Sequence, residues 1–335
     1  MMSEILEKHF DVRPEQSYLL GNQTRYLSNG YLYTLVPVTN IEQETLVELF
    51  EMSQHLAQEG DRYVSTFVQS NSEKYLITEK EVDYVLLKNL FINPPNSPKL
   101  GRRLAKFHQS GRNISKTIEH CKRMGEWKTL WEKRIDQMEG VWNTYLQERP
   151  DREFNRVFID SFPYYLGMAE NAIQYLVDTE IDEETRDIDA GTVCHIRFHQ
   201  NTWGTQVWIK DPFDWVFDHG GRDIAEWIRE RYLTQNRTFQ PDVQTFLREY
   251  QSAGEISAFS WRLIFARLLF PIHYFECVED YFTASSEQSQ KQLEDKLHRM
   301  TKTSREYERF LGEFYKIADV PLKRLKIPEI NWLRR

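Results

Sequence analysis

Apolar and polar or turn residues alternate through much of the first ninety residues. Ser17–Leu20, Arg25–Leu27 and Tyr31–Val38 carry the period of half-buried strands. Asn29-Gly30, between the last two, predicts a tight hairpin turn. Over Ile41–Gln58 the period changes: Leu46, Leu49, Phe50, Met52 and Leu56 fall mostly on one helical face, and Gly60 ends the pattern. Tyr63–Gln69 and Lys74–Ile77 then read as strands joined by a Ser-Asn-Ser turn, with Val82–Leu90 as a further strand. Residues 1–15 read as a short helix or arm ending at Pro14. In Ile92–Lys99, three prolines (Pro94, Pro95 and Pro98) bar a regular helix or central strand. A domain boundary is therefore expected here, with a β-rich lobe and one packed helix over 1–95 and a helical lobe over 96–335.

Beyond Leu100 the pattern is helical. Leu100–Gly111 is amphipathic, with Leu100, Leu104, Phe107 and His108 along one face, and His108 reads as a hydrogen-bonded structural residue of the core. Helices are expected over Ile114–Gln147, over Arg152–Asp178 with a possible break at Pro163, and over Val243–Tyr250, Ala258–Phe282 and Glu287–Phe314. The tail from Pro321, basic and with two prolines, is expected to pack along the surface. Between these helices lies Ala190–Glu230, where two short β-rich runs (Thr192–Val193 and Gln206–Ile209) flank a loop of His, Asn and Arg. An acidic segment then leads into an amphipathic helix near Asp223.

Composition narrows the function classes. A content of 9 Trp, 17 Tyr and 20 Phe against 14 Gly favours a filled, helix-rich core over glycine-built nucleotide loops. A formal charge of −8 gives no general affinity for nucleic acid. Cys121, Cys194 and Cys277 lie far apart with no CxxC pair, and read as reduced core thiols. The opening residues are too charged for a signal peptide. The most apolar run, Phe265–Phe275, is interrupted and too short to span a bilayer, so no transmembrane segment is expected.

The order loop, short hairpin, acidic segment and buried helix is that of a phosphotransferase core. With the residues CHIRFHQNTW and DPFDW…HGGRDIA it resembles the aminoglycoside-phosphotransferase and choline-kinase branch of the protein-kinase-like fold, whose motifs run HGDxxxxN and then IDFDxA…DLA. The resemblance implies an α+β, two-lobed protein-kinase-like fold with a small β-rich amino-terminal lobe. It aligns His195 with the loop His, Arg197 with the catalytic Asp, and His199 with the second His. Asn201 falls one position before the metal-binding Asn, and Thr202 takes the gapless position. Asp211, twelve residues before Asp223, aligns with the metal Asp, so Asp211 and Asp214 are the candidate metal ligands. Asp223 aligns with a structural Asp that accepts backbone N–H bonds from the loop, and is expected buried against nitrogens between Cys194 and Phe198.

Several departures point away from catalysis. A guanidinium cannot serve as a base near neutral pH. No Lys occurs between Phe10 and Glu73, and Tyr31–Val38, where the family carries its strand Lys, is uncharged. Glu44, Glu48 and Glu51 then lack that partner and read as a solvated helix face. Asp211 is expected to pair with Arg197 or Lys210, Arg197 filling the vacant metal position. His195 and His199 have the four-residue spacing of two zinc ligands on a helix, but they lie in a hairpin loop and lack the accompanying Glu.

The TLVPVTN strand, the LAKFH helix and the DPFDW…HGGRDIAEWIR segment are similar to the spore-coat-associated YutH proteins, relatives of the CotS and CotI coat proteins of spore-forming bacteria. That similarity implies sporulation-specific expression in the mother-cell cytoplasm, a place in the spore coat, and other coat proteins as partners. Two readings follow. One is a catalytically inactive kinase-like protein (a pseudokinase) with a structural or scaffolding role and no cofactor. The other is an active phosphotransferase on a small molecule or protein, using ATP and Mg with rearranged ligands.

Overall fold

The computed structural model of the chain describes residues 2–21, 23–95, 99–147, 152–235, 238–328 and 330–334. Two compact units emerge, one of residues 1–123, 190–223 and 248–255, the other of 124–189, 224–247 and 256–335.

The first unit is built on an antiparallel sheet. Strands β1 (Gln16–Leu20), β2 (Gln23–Ser28), β3 (Tyr31–Pro37), β4 (Thr66–Val68), β5 (Leu76–Glu79) and β6 (Val82–Leu90) are arranged in the order β1-β2-β3-β6-β4. The nine-residue β6 pairs with β3 along one edge, while β4 and β5 share its other edge end to end. The hairpin between β2 and β3 turns at Asn29 and Gly30, with φ of 51° and 76°. That is the left-handed pair a two-residue turn requires, and Gly30 adopts it without steric penalty. Helix α1 (Met2–Phe10) covers one face of the sheet, where Leu6 and Phe10 pack with Tyr33, Leu35 and Leu86. On another part of the sheet Leu32 packs with Val207 and Ile209. Helix α2 (Gln43–Gln58) reaches the sheet at β4, with Phe50 against Phe67 and Ser53 Oγ donating to the Ser65 carbonyl. The strands, the hairpin and the packed helix follow the sequence pattern. Residues 91–95 are irregular, as their prolines require; Pro98 and Asn22 lie outside the described residues.

Helix α3 (Leu100–Arg112) completes this unit with a separate two-stranded ribbon, β7 (Thr192–His195) and β8 (Trp215–Asp218). The expected second run, Gln206–Ile209, forms no strand. Its apolar residues serve the core under β3 instead, and the partner of β7 comes from after Asp211. Gly111 lets α3 approach β7 closely: a Cβ there would collide with Thr192 Oγ1 and the Val193 nitrogen.

In the second unit, α4 (Trp127–Gln147) packs on α5 (Glu153–Asp182), and α5 packs on α8 (Ala258–Leu269). The expected helix start at Ile114 moves to Trp127. Residues 113–126 are irregular, and within them Cys121 and Arg123 hydrogen-bond β8 at Phe217. Helix α5 runs unbroken through Pro163. Proline supplies no N–H to the carbonyl of Ile159, and the Trp142 indole donates to that oxygen instead, at 3.0 Å. Helix α6 (Gly221–Thr234) starts in the first unit and leaves it after Asp223, and α7 (Phe239–Gln251) ends in that unit. The single helix expected over Ala258–Phe282 is two, α8 and α9 (Ile272–Thr283), separated at Pro271. The one expected over Glu287–Phe314 is also two, α10 (Glu287–Lys302) and α11 (Ser304–Ile317), parted at Thr303. In the tail, α12 (Leu322–Leu325) and a last turn follow, with Ile327 and Leu333 buried.

One carboxylate in the first unit departs from expectation. Glu44 is exposed and Glu51 meets Lys116, but Glu48 is buried and accepts from three successive amides, Glu119, His120 and Cys121, at 2.7–3.0 Å. Burial pushes the Glu48 pKa up, yet the three amides outweigh it and hold it below its ordinary 4.5. Replacing Glu48 with Ala is expected to cost about 3 kcal/mol in urea unfolding, because buried donors lose their acceptor. A depressed folded pKa stabilises above the unfolded value, and that stabilisation is lost as pH falls through the folded one. The parent is therefore expected to lose stability in acid more steeply than Glu48→Gln; equal slopes would contradict this assignment.

Candidate functional site

The loop after β7 is organised by Asp223 in the first turn of α6. Its side chain is wholly buried. Oδ1 accepts from the His195 amide at 2.9 Å, while Oδ2 lies 2.7 Å from His195 Nδ1 and 3.2 Å from His108 Nε2. The Trp203 indole, a donor only, bonds His195 Nε2 at 2.9 Å, so the proton of this imidazole sits on Nδ1 and faces Asp223. His108 Nδ1 meets the Tyr250 hydroxyl at 2.9 Å. Burial pushes His108 down to about 4 against the pull of Asp223, which leaves it neutral at pH 7 with Nε2–H toward the carboxylate. Burial would raise Asp223, but attraction and hydrogen bonds from His195 and His108 prevail and hold it well below the usual carboxylate range. Gly220 makes room for this packing, since a Cβ there would lie 2.8 Å from His108 Nδ1.

A second residue of the same turn, which sequence reading missed, holds the loop by its carbonyls. Arg222 donates from Nε to the His195 oxygen at 2.9 Å and from Nη2 to the Ile196 oxygen at 3.1 Å, while Nη1 pairs with Asp218 at 2.8 Å. The only signal was its place in the sequence beside Asp223. His108, Cys194 and Asp223 are the one group among the described residues close enough to hold a metal ion. Burial, with Asp223 and Asp218 nearby, pushes the Cys194 thiol well above its ordinary 9, so without a metal it stays protonated. Both Asp223 oxygens are already hydrogen-bonded, and the cluster is a polar core network.

Of the remaining candidates, Asn201, Asp211 and Asp214 line a cleft of about 580 Å³, together with Leu20, Gly21 and Arg25 among others. Arg197 is half-buried and donates to the Ile196 carbonyl. His199 is exposed, its Nδ1 accepting from the Asn201 amide within the turn, so it is not brought together with His195 as a ligand pair. The guanidinium against Asp211 belongs to Arg25 rather than to Arg197, with Nη2 3.6 Å from Oδ2. Arg25 stands on β2 and donates to Thr34 Oγ1 of β3 at 2.8 Å, so the cleft receives a cation from the strand beside the one expected to carry Lys. The sequence held one clue to this: Arg25 is the only Lys or Arg between Arg13 and Arg62. Lys210 does not pair with Asp211 either; its ammonium lies 2.5 Å from Asp61.

The Asp211 carboxyl also accepts from the Phe213 amide at 3.1 Å. Burial pushes Asp211 up more strongly than Arg25 pulls it down. Partial burial and the Asp211 charge also push Asp214 up, although this residue is open to water, which limits the effect. The cleft can therefore neutralise a carboxylate internally, and the aligned position 197 carries a guanidinium rather than a base.

The family model described as "Spore coat putative kinase YutH" matches residues 3–314. The endospore coat-associated protein YutH of Bacillus subtilis (strain 168) is 40% identical over 333 residues, covering 98% of this chain and 97% of that protein. Among solved structures, an aminoglycoside phosphotransferase from Alicyclobacillus acidocaldarius superposes with a TM-score of 0.67 at 14% identity, covering 91% of this chain and 93% of that one. The AMP-bound spectinomycin phosphotransferase APH(9)-Ia gives 0.61 at 13% identity, covering 96% and 98%. The fold is thus the α+β aminoglycoside-phosphotransferase-like fold that the motif order implied. No described helix is long and apolar enough to cross a membrane.

Asp223→Ala is expected to cost about 3 kcal/mol, since it strands a buried amide and two imidazoles; a variant as stable as the parent would show that these bonds do not hold the loop. His108 adds a pH dependence. Between its ordinary 6.5 and its folded value of about 4, the unfolded chain binds a proton that the folded chain does not. Stability should therefore fall as pH drops through that window. Urea midpoints across it should show a shallower slope for His108→Gln than for the parent.

Proposed function

The chain belongs to the spore coat YutH family, and from that premise we propose that it is a coat component whose kinase-like fold does not transfer phosphate. Its role on this reading is structural: it takes its place among other coat proteins, made in the mother-cell cytoplasm and then carried in the spore coat. The observation that carries the reading is the pairing of Asp211 with Arg25, both buried. A divalent cation bound between protein and phosphates needs charged oxygen ligands with room for several waters. Here a guanidinium lies against the aligned carboxylate, and burial favours that carboxylate's neutral form. Arg197, in place of the aligned Asp, adds positive charge and cannot accept a substrate proton. Magnesium–ATP does not suit this donor set, and no transfer step is assigned to it.

The alternative, an active phosphotransferase with rearranged ligands, draws on the open cleft, which Asn201, Asp211 and Asp214 still line together with Arg25. Nucleotide titration separates the two. A thermal-shift series with ATP and magnesium is expected to leave the melting temperature unchanged, and Arg197→Asp is expected to acquire no ATPase or transferase activity while Arg25 and Thr34 remain. A magnesium-dependent rise in melting temperature would overturn the inactive reading.

A further inference from the structure

We infer that the cavity bounded by the end of α2, by α3 and by Lys210 is a binding site for a small molecule bearing a phosphate group. It encloses about 360 Å³, within the range of small-ligand pockets. Basic side chains from three separate stretches of chain converge on it: Arg62 just after α2, Arg103 and Lys106 on α3, and Lys210. Against these four stand two carboxylates, Glu59 and Asp61. In a chain of net charge −8, such a local excess of positive charge is a departure from the average surface, and a concave wall concentrates its field.

Within the cavity the charges are arranged in depth. Lys210 is 4% exposed, with its ammonium 4.1 Å from the Trp203 ring centroid and 4.6 Å from that of Phe107. Both oxygens of Asp61 are engaged, Oδ2 by Lys210 and Oδ1 by the Tyr63 amide at 3.1 Å. Asp61 thus serves as the counter-charge of Lys210, and Glu59 is the one other carboxylate lining the cavity beside Arg62, Arg103 and Lys106. The Arg103 guanidinium lies 5.1 Å from the Trp208 ring centroid and 6.0 Å from that of Tyr63, and Arg62 lies 5.5 Å from the Tyr63 centroid. Aromatic faces orient planar guanidinium forks, which match phosphate oxygens in pairs, while lysine adds a point charge. The backbone holds the arrangement: the Lys210 amide donates to the Tyr63 carbonyl at 2.8 Å, and the Ser65 amide donates to the Lys210 carbonyl at 3.0 Å. The excess of two positive charges suits a phosphate dianion. The inference does not depend on whether the Asp211 cleft is active.

Calorimetric titration of the full chain with inorganic phosphate, and separately with phosphoserine, tests the site at constant ionic strength against a chloride blank. Saturable binding is expected, weakened about tenfold or more in the Arg62→Ala/Lys106→Ala double variant, as loss of charge-assisted bonds predicts. Lys106→Arg should retain binding, and Lys133→Ala, an exposed position of α4 that does not line the cavity, should leave it unchanged. Both altered positions are exposed, and a thermal melt of each variant checks that its fold persists. No saturable binding by the parent, or a double variant that binds as tightly as the parent, would overturn the proposal. The second outcome would place the anion elsewhere, including at Arg25.

Discussion

The carboxylate of Asp223, removed from water, is held by one amide and two imidazoles rather than by a lysine or arginine. An ion in such a place is tolerable only if every lone pair is used, because an unpaired buried charge is expensive. The bonding partners set the direction of each proton in turn. Trp203 can only donate, which fixes the His195 tautomer, and neutral His108 completes the set. Placement of β7, of α3 and of the first turn of α6 follows from satisfying one negative charge. Arg222, gripping the carbonyls of His195 and Ile196, supplies the complementary hold on the acceptors.

Elsewhere in the first unit, the same problem of a buried charge is solved in two other ways. Glu48 uses amides alone, and so ties the irregular segment before α4 to α2. Asp211 uses a guanidinium at a longer distance and is not fully compensated, which is why burial still favours its neutral form. The contrast matters for function. A carboxylate saturated by short amide bonds is architectural, whereas one facing a cleft beside an arginine is the kind of group a ligand could still perturb.

Local patterns in the sequence made much of this legible. The alternation in Tyr31–Val38, the turn at Asn29-Gly30 and the apolar face of α2 each depend on neighbours in the chain, and the structure follows them. The position of Asp223 at the start of an amphipathic helix was equally readable. Contacts between residues distant in sequence were not. Arg25 looks like an ordinary polar position of a strand, and only pairing with β3 and the approach of residue 211 give it a role. Glu48 looks solvated because its amide partners lie some seventy residues later in an irregular stretch without periodicity. Gln206–Ile209 has a strand's composition, but its apolar side chains were recruited to the core beneath Leu32. Pro271 and Thr303 divided helices that apolar content alone suggested were continuous.

The unbroken course of α5 has a consequence for how this chain can diverge. Pro163 leaves the Ile159 carbonyl without its helical partner, and Trp142, on a different helix, caps it. Losing the indole would strand that oxygen, while restoring an amide at 163 would make the indole compete for an acceptor already in use. The two positions therefore form a single heritable unit. Among relatives that keep the proline, a donor is expected at the position of Trp142; where the proline has been replaced, that constraint on the tryptophan is lifted, and the pair should covary although they lie twenty-one positions apart.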